Sequence, residues 1–322
     1  MRARFWETDW FGPLMITVAA IVVVGALNPS FLSPFNIQVL LLAIAVNGLI
    51  AFSQMIIIAI GQMNLSVGAI GGLAAIAFGG MMEVWGIPWP VAALLALALG
   101  LLAGVANGVL VALTGISAFV ITLASLSIFK GINLGITEAQ PFYNIPQIVK
   151  SLGNDTFIHP LPWLIIPCIA AAIGLWYLLN RLPLGRSILA VGGNEHAAEL
   201  SGISVRRAVI VAHGISGGLA ALAGILLVGR LQLGQPTIGD DWLILSFAAP
   251  VIGGAILTGG HVSVAGTLLG VAIVAIFTQV LVIFNIDPFL VQVVLGALIL
   301  WAVGMNRWRE ARAQRRIAQV SP

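Results

Sequence analysis

Charge is what this chain has least of. Of its 322 residues, 8% are Asp, Glu, Lys or Arg and 60% are hydrophobic. A soluble protein carries about 25% charged residues. So few charges cannot cover a soluble surface, and the chain reads as an all-α polytopic membrane protein. Cysteine is nearly absent too: Cys168 stands alone, so no intrachain disulfide is possible and the redox compartment is not encoded. The phosphate loop G-x-x-x-x-G-K-[ST] is missing, since Lys130 and Lys150 lack the glycines that would precede them. The four histidines, His159, His196, His213 and His261, are scattered and no H-E-x-x-H occurs, which argues against a metal site. No serine sits in G-x-S-x-G. The sequence therefore assigns no catalytic residue and no cofactor to this chain.

What it has instead is a series of long apolar runs. A bilayer core needs about 20 such residues per helix, and spans are predicted over 11–27, 38–60, 65–82, 88–113, 116–135, 161–180, 208–228, 242–257, 262–284 and 288–303. The third and eighth are short and glycine-rich, which marks them as candidates for broken or re-entrant spans. With the N-terminus inside and ten spans, eleven of the fourteen Lys and Arg residues fall on one side, leaving Lys130, Lys150 and Arg230 outside or at the outer boundary. The bias favours an even count and puts both termini in the cytoplasm. The first run is expected to remain attached, because Glu7 and Asp9 do not suit the n-region of a signal peptide. No soluble domain is expected; residues 1–322 form one transmembrane domain. The basic tail 306–322 suits anionic membrane lipid rather than nucleic acid.

An internal repeat is one further reading. Ile116-x-Ala118-Phe119-Val120 echoes Ile286-x-Pro288-Phe289-Leu290 on oppositely directed spans, as an inverted five-plus-five arrangement requires. The pair of GGLAA runs at Gly71 and Gly217 contradicts that register. The outer loop 136–160, with Pro141, Phe142, Tyr143 and Pro146, reads as an ordered loop that offers a landing surface or a plain connector.

The charged exception in the interior is the loop 181–207, with four arginines and two glutamates. Within it, Asn194 is a good N-cap, Glu195 suits the first turn of a helix, and Ala197, Ala198, Glu199 and Leu200 favour helix. Gly202 can close it in the left-handed conformation. A helix of about two turns is predicted, too short to persist unless it packs against something. The alternatives are a docking helix or a solvated connector with one capped turn.

Polar side chains inside spans cost energy and tend to face a bundle interior or a water-filled path. Asn47, Gln54, Gln62, Asn64 and Ser66 around the second and third spans, Asn107 in the fourth, Thr122, Ser125 and Ser127 in the fifth, and Thr278 and Gln279 in the ninth stand out. Uncharged amides and hydroxyls suit a neutral polyol; the alternative is hydrogen-bonded glue between helices, at about 0.6 kcal/mol per bond. The substrate-path candidates are Asn47, Gln54, Gln62, Asn64, Ser66, Thr122 and Ser125. A gradient-driven carrier, the main rival class, would want an ionisable residue at mid-membrane, and none lies near the centre of a predicted span. An integral membrane enzyme would want a catalytic constellation, and none is present.

Four stretches carry a resemblance. N-E-x-A-A-x-L-S-G-I from Asn194 is similar to the coupling segment of the ribose/xylose/arabinose-type sugar permeases of ABC importers. GQMNLSVGAI from Gly61 resembles their G-x-x-D-L-S-V-G motif, and the stretches from Asn107 and from Val251 agree, in family order. Two positions depart: His196 stands where a glutamate is usual, and Asn64 replaces an acid. The resemblance implies an inner-membrane permease subunit that works as a dimer. It further implies an ABC ATPase subunit holding ATP and Mg, and a periplasmic sugar-binding protein. Asn194, Glu195, His196, Ala197, Ala198, Glu199 and Gly202 would form the helix that docks the ATPase, and Ala198→Arg would be expected to block docking without unfolding the chain. Permeases for branched-chain amino acids or nucleosides are the nearest rivals.

Overall fold

The computed structural model describes residues 10–285 and, beyond them, positions 290, 293, 296, 297, 300 and 304. The expected tenth span and the basic tail lie almost wholly outside the described residues, as does the second half of the repeat echo. With no water in a bilayer core, backbone polar groups must be satisfied within each segment, which makes helices the answer to these apolar runs. Five helices are long and apolar enough to cross a membrane: α2 (Pro34–Ala59), α4 (Trp89–Thr114), α5 (Ala118–Thr137), α10 (Val205–Leu231) and α12 (Val264–Ile283). Three shorter apolar helices accompany them: α1 (Phe11–Leu27), α3 (Val67–Glu83) and α11 (Trp242–Ile252). A further span, α7 (Ile165–Arg181), bends by 74° into α8 (Pro183–Gly193). Two small helices complete the set: α6 (Gln147–Asn154) in the outer loop and α9 (Glu195–Leu200) in the charged loop.

The differences from the predicted boundaries have local causes. The span expected from 161 starts at Ile165, because Leu161–Pro162 (β2) pairs antiparallel with Thr156–Ile158 (β1). The eighth span stops at Ile252, where Gly253 and the left-handed Gly254 (φ 90°) follow the internal Pro250.

α10 is the hub and packs against α2, α3 and α4. Its tightest partner is α4, whose Gly100, Gly104 and Gly108 meet Gly217, His213 and Ile210. A Cβ on Gly104 would lie 3.0 Å from the Cα of Gly217. Between helices in lipid, close packing of small residues replaces the hydrophobic drive available in water.

The third and eighth spans are broken. α3 begins only after a non-helical stretch, 61–66, and α11 only after another, 232–241. The second stretch runs antiparallel along α3: Gly234 lies by Gly79, Ile238 by Gly72 and Gly239 by Gly68. At its start, Gly234 and Phe142 exchange backbone hydrogen bonds of 2.8 and 2.9 Å. α3 packs on α10, and α11 packs on α2. Each broken span thus lies against a long helix distant in sequence as well as against its chain neighbours.

At the end of the bundle that carries α9, three chain segments meet backbone to backbone. The Gly260 amide donates to the Ala59 carbonyl at 3.0 Å. Gly192 is pressed against both groups, leaving no room for a Cβ. Gly61, with φ 73°, closes the joint beside the Thr258 carbonyl.

Candidate functional site

The charged loop is more structured than its sequence suggests. Leu182 takes extended angles (φ −88°, ψ 143°), as a residue before proline does. Pro183 then opens α8 at its first position, where a missing N–H costs nothing. α8 buries Gly185, Ile188 and Val191 and delivers the chain to the glycine joint. The sequence reading had no helix here and took 181–193 as part of the charged loop.

α9 follows, with Asn194 Oδ1 accepting from the Ala197 amide at 2.9 Å. Its far end closes with paired backbone bonds: Gly202 N donates to Glu199 O (2.9 Å) and Ile203 N to Ala198 O (3.0 Å). Gly202 supplies the left-handed residue (φ 81°) this closure needs. Glu195, His196, Ala197 and Glu199 are exposed, and Leu200 is 77% exposed. Ala198 is not: it is buried in the chain's own core. This corrects the expectation for Ala198→Arg, which would disrupt the permease itself. The outward alanine is Ala197.

Beside α9 opens a cavity of about 580 Å³, lined by Glu195, Glu199, Arg206, Gln62 and the ends of α4 and α5. Gln62 is half-buried there, with Oε1 3.1 Å from His213 Nε2. Of the polar residues Gln62, Asn64 and Ser66, Gln62 is the one that lines this space, beside Met63.

The remaining members turn inward. Asn64 Oδ1 accepts from Ser66 N (2.9 Å) and Ser66 Oγ (2.7 Å), while its Nδ2 donates to Ser216 Oγ (3.1 Å). Asn107 Nδ2 donates to Ser66 Oγ, and Ser125 Oγ donates to Asn107 Oδ1 at 2.6 Å. Ser53 bonds Ser216, and Thr122 Oγ1 accepts from the Leu65 amide. The Gln54 carboxamide, oriented to suit this network, pairs with both backbone groups of Asn64 at 3.0 and 3.2 Å. All of these side chains are buried. Gln54, Asn64, Ser66, Thr122 and Ser125, expected along a substrate path, are thus buried in mutual contacts in this structure. They satisfy one another and lock the non-helical stretch 61–66 onto α2, α4, α5 and α10. Periodicity placed them in the bundle but could not tell a path from a lock.

Asn47 lies elsewhere, half-buried on a cavity of about 320 Å³ between α2, α10 and α11. Arg230, Gln235, Thr237, Asp241 and Trp242 share that lining. The sequence reading left both Arg230 and Lys130 outside or at the outer boundary. Lys130 Nζ in fact pairs with Asp240 Oδ1 at 2.9 Å. Lys130 sits seven residues from the end of α5, about 10 Å along the axis. Asp240 follows Gly239, which packs on Gly68, fifteen residues or ~22 Å from the far end of α3. Lys130 thus lies within α5 and Asp240 beside α3, in the non-helical stretch that leads into α11. The signal was Asp240 in a glycine-rich stretch beside a short span. Among the described residues, no group of three or more His, Cys, Asp or Glu side chains could hold a metal ion.

Comparison with known proteins agrees with this architecture. Residues 36–303 match the family described as "Branched-chain amino acid transport system / permease component". The ribose import permease protein RbsC of Bacillus subtilis is 37% identical over 303 residues, covering 93% of each chain. The fructose import permease protein FrcC of Rhizobium meliloti is 32% identical, over 92% of this chain and 84% of its own. The D-allose transport system permease protein AlsC of Escherichia coli is 32% identical, over 95% and 93%. No solved structure matches significantly. The broken apolar spans, the capped helix in the charged loop and these likenesses lead to one assignment: the chain is a multi-pass membrane protein and belongs to this family of transport-system permease components.

Proposed function

We propose that this chain is the membrane-spanning subunit of an ATP-driven ABC importer that translocates a monosaccharide of the pentose or hexose class. The substrate reading rests on the relatives, whose names specify ribose, fructose and allose import. The observation that carries the coupling role is α9. It is a capped helix with exposed Ala197 and Leu200, joined to α2 through backbone contacts at Gly192. An ATPase chain, absent from this sequence, would supply the phosphate loop and hold ATP and Mg against that helix. The α9 end then faces the cytoplasm together with both termini, and the membrane is the bacterial inner membrane. A second permease subunit, identical or related, completes the pair. On the outer side, Tyr143, Ile148 and Ile158 of the ordered loop around α6 are exposed and suit docking of a periplasmic sugar-binding protein.

In this reading ATP closes the partner's nucleotide sites, α9 moves, and the joint passes that movement to α2 and to the loop after α11. The test is isolation of the tagged chain in mild detergent, identification of the co-purifying proteins, and sugar uptake in liposomes with and without ATP. Recovery of an ATPase and ATP-dependent uptake are expected. Within that assay Ala197→Arg should abolish ATPase recovery while leaving the thermal midpoint of the permease unchanged; retained ATPase binding would remove α9 from the docking surface. The Lys130–Asp240 pair favours one second reading, a gradient-driven carrier. Uptake by the chain alone, without ATP, would establish that reading and overturn the first.

A further inference from the structure

The Lys130–Asp240 pair has no role in the coupling surface or in the buried lock. Its place is unusual. Both side chains are nearly half exposed, at 45% and 44%, although the pair lies well below the far ends of α5 and α3. Phe119 and Leu123, on the face of α5 that carries Lys130, are apolar and exposed. Charges opening onto lipid would be costly, and ionisable groups within spans face a partner or a water-filled path. The pair also borders a cavity of about 100 Å³. At ~30 Å³ per molecule that volume holds about three waters, or one edge of a larger polar solute.

Asn133, one turn along α5, lines the same cavity. It is only 2% exposed, and its Oδ1 has no hydrogen-bond partner. An unpaired buried carboxamide oxygen costs free energy that a bound donor would return. The opposite wall is the non-helical stretch with Pro236, Ile238 and Gly239. Gly239, at φ 96°, is pressed against Gly68 and holds Asp240 in place. A carboxylate that accepts, an ammonium that donates and a carboxamide that does either form a set suited to neighbouring hydroxyl groups on one molecule. Cavity, charge pair and orphaned oxygen all lie where α5 faces the non-helical stretch that side chains do not lock.

We propose that Lys130, Asp240 and Asn133 form a polyol-binding notch on the transport path that grips one edge of the sugar in transit. The inference rests on the sugar reading above and extends it to a site. Neighbouring hydroxyls donate to Asp240 and accept from Lys130, loosening the pair as the sugar passes; no covalent step is involved.

The test uses the full permease with its co-purified ATPase and binding protein in liposomes, each binding protein saturated with D-ribose, L-arabinose, D-fructose or D-allose. Sugar imported per ATP hydrolysed is measured for the wild type, Asp240→Asn, Lys130→Gln, and the exchanged pair Lys130→Asp with Asp240→Lys. Losing a charge-assisted hydrogen bond to the sugar should lower import per ATP by about 10–100-fold in each single variant. Binding-protein-stimulated ATP hydrolysis and complex recovery should stay at wild-type levels. The exchanged pair, which restores an ion pair but moves the carboxylate onto α5, should not recover import. Unchanged import per ATP in both single variants overturns the notch, and so does full recovery in the exchanged pair, which would make the contact a structural latch. A wild type that imports neither these four sugars nor any other pentose or hexose overturns the sugar reading itself, and the notch with it.

Discussion

The two broken spans answer the same physical demand by different means. Non-helical backbone at membrane depth survives only where protein or water satisfies it. The stretch 61–66 before α3 is held by side chains: Asn64, Ser66, Gln54 and Thr122 tie its backbone and one another to four helices. The stretch 232–241 before α11 is held by the absence of side chains, through the contacts of Gly234 and Gly239 with α3. One of its two carboxylates, Asp240, pairs with the half-exposed Lys130 instead of a sealed network. Locked polar networks are rigid because every member has a partner to lose. A seam of glycine against glycine has shape complementarity but few directional bonds, so it can slide.

This contrast can be broken at the lock first. Asn64→Leu leaves the Ser66 amide without its acceptor and takes one of two partners from each of the Ser66 and Ser216 hydroxyls, at roughly 1–3 kcal/mol for a group left unsatisfied. We expect it to have the largest effect, a loss of folded permease measurable by thermal denaturation in detergent. Gly239→Ala comes next. A methyl group there meets the Gly68 backbone, and a left-handed alanine adds about 1–2 kcal/mol. We expect lost import with a smaller fall in thermal midpoint than Asn64→Leu; the reverse order would mean that the glycine seam is the more rigid span. Ser125→Ala removes one peripheral bond, to Asn107, and should cost about 0.6 kcal/mol and no more than ~1.7. Asn64→Asp should have the smallest effect. Ser66 N, Ser66 Oγ and the Ser216 hydroxyl are all placed to donate to a carboxylate, so import and thermal midpoint should both stay near wild type.

Much of the fold was legible because lipid leaves few options. Apolar runs gave the spans, and Asn194 and Gly202 gave both ends of α9 by known capping chemistry. Glycine content marked the third and eighth spans as irregular. The site was less legible. Ser66 and Gln62 are four residues apart and equally polar, yet one is sealed in a network and the other faces a cavity. That difference lies in Ser216 and Asn107, which only folding brings near. Ala198 looked like a docking surface because small residues suit close approach, but the surface it approaches is its own chain. The glycines at 100, 104 and 108 did carry a four-residue period; their meaning needed α10 as a partner. Asp240 and Lys130 were both visible, but their pairing depends on a stretch that leaves helical geometry.

The joint at Gly192, Gly260 and Ala59 has a mechanical consequence. Side chains in contact can absorb a displacement by changing rotamer, which makes most interfaces compliant over the first ångström of travel. This joint has backbone on each of its sides, and backbone has no rotamers. A small shift of the helix that begins at Glu195 cannot be dissipated there as side-chain motion. It must emerge as movement of α2 or of the loop after α11, so the glycines make the linkage a stiff rod where larger residues would have made it a spring.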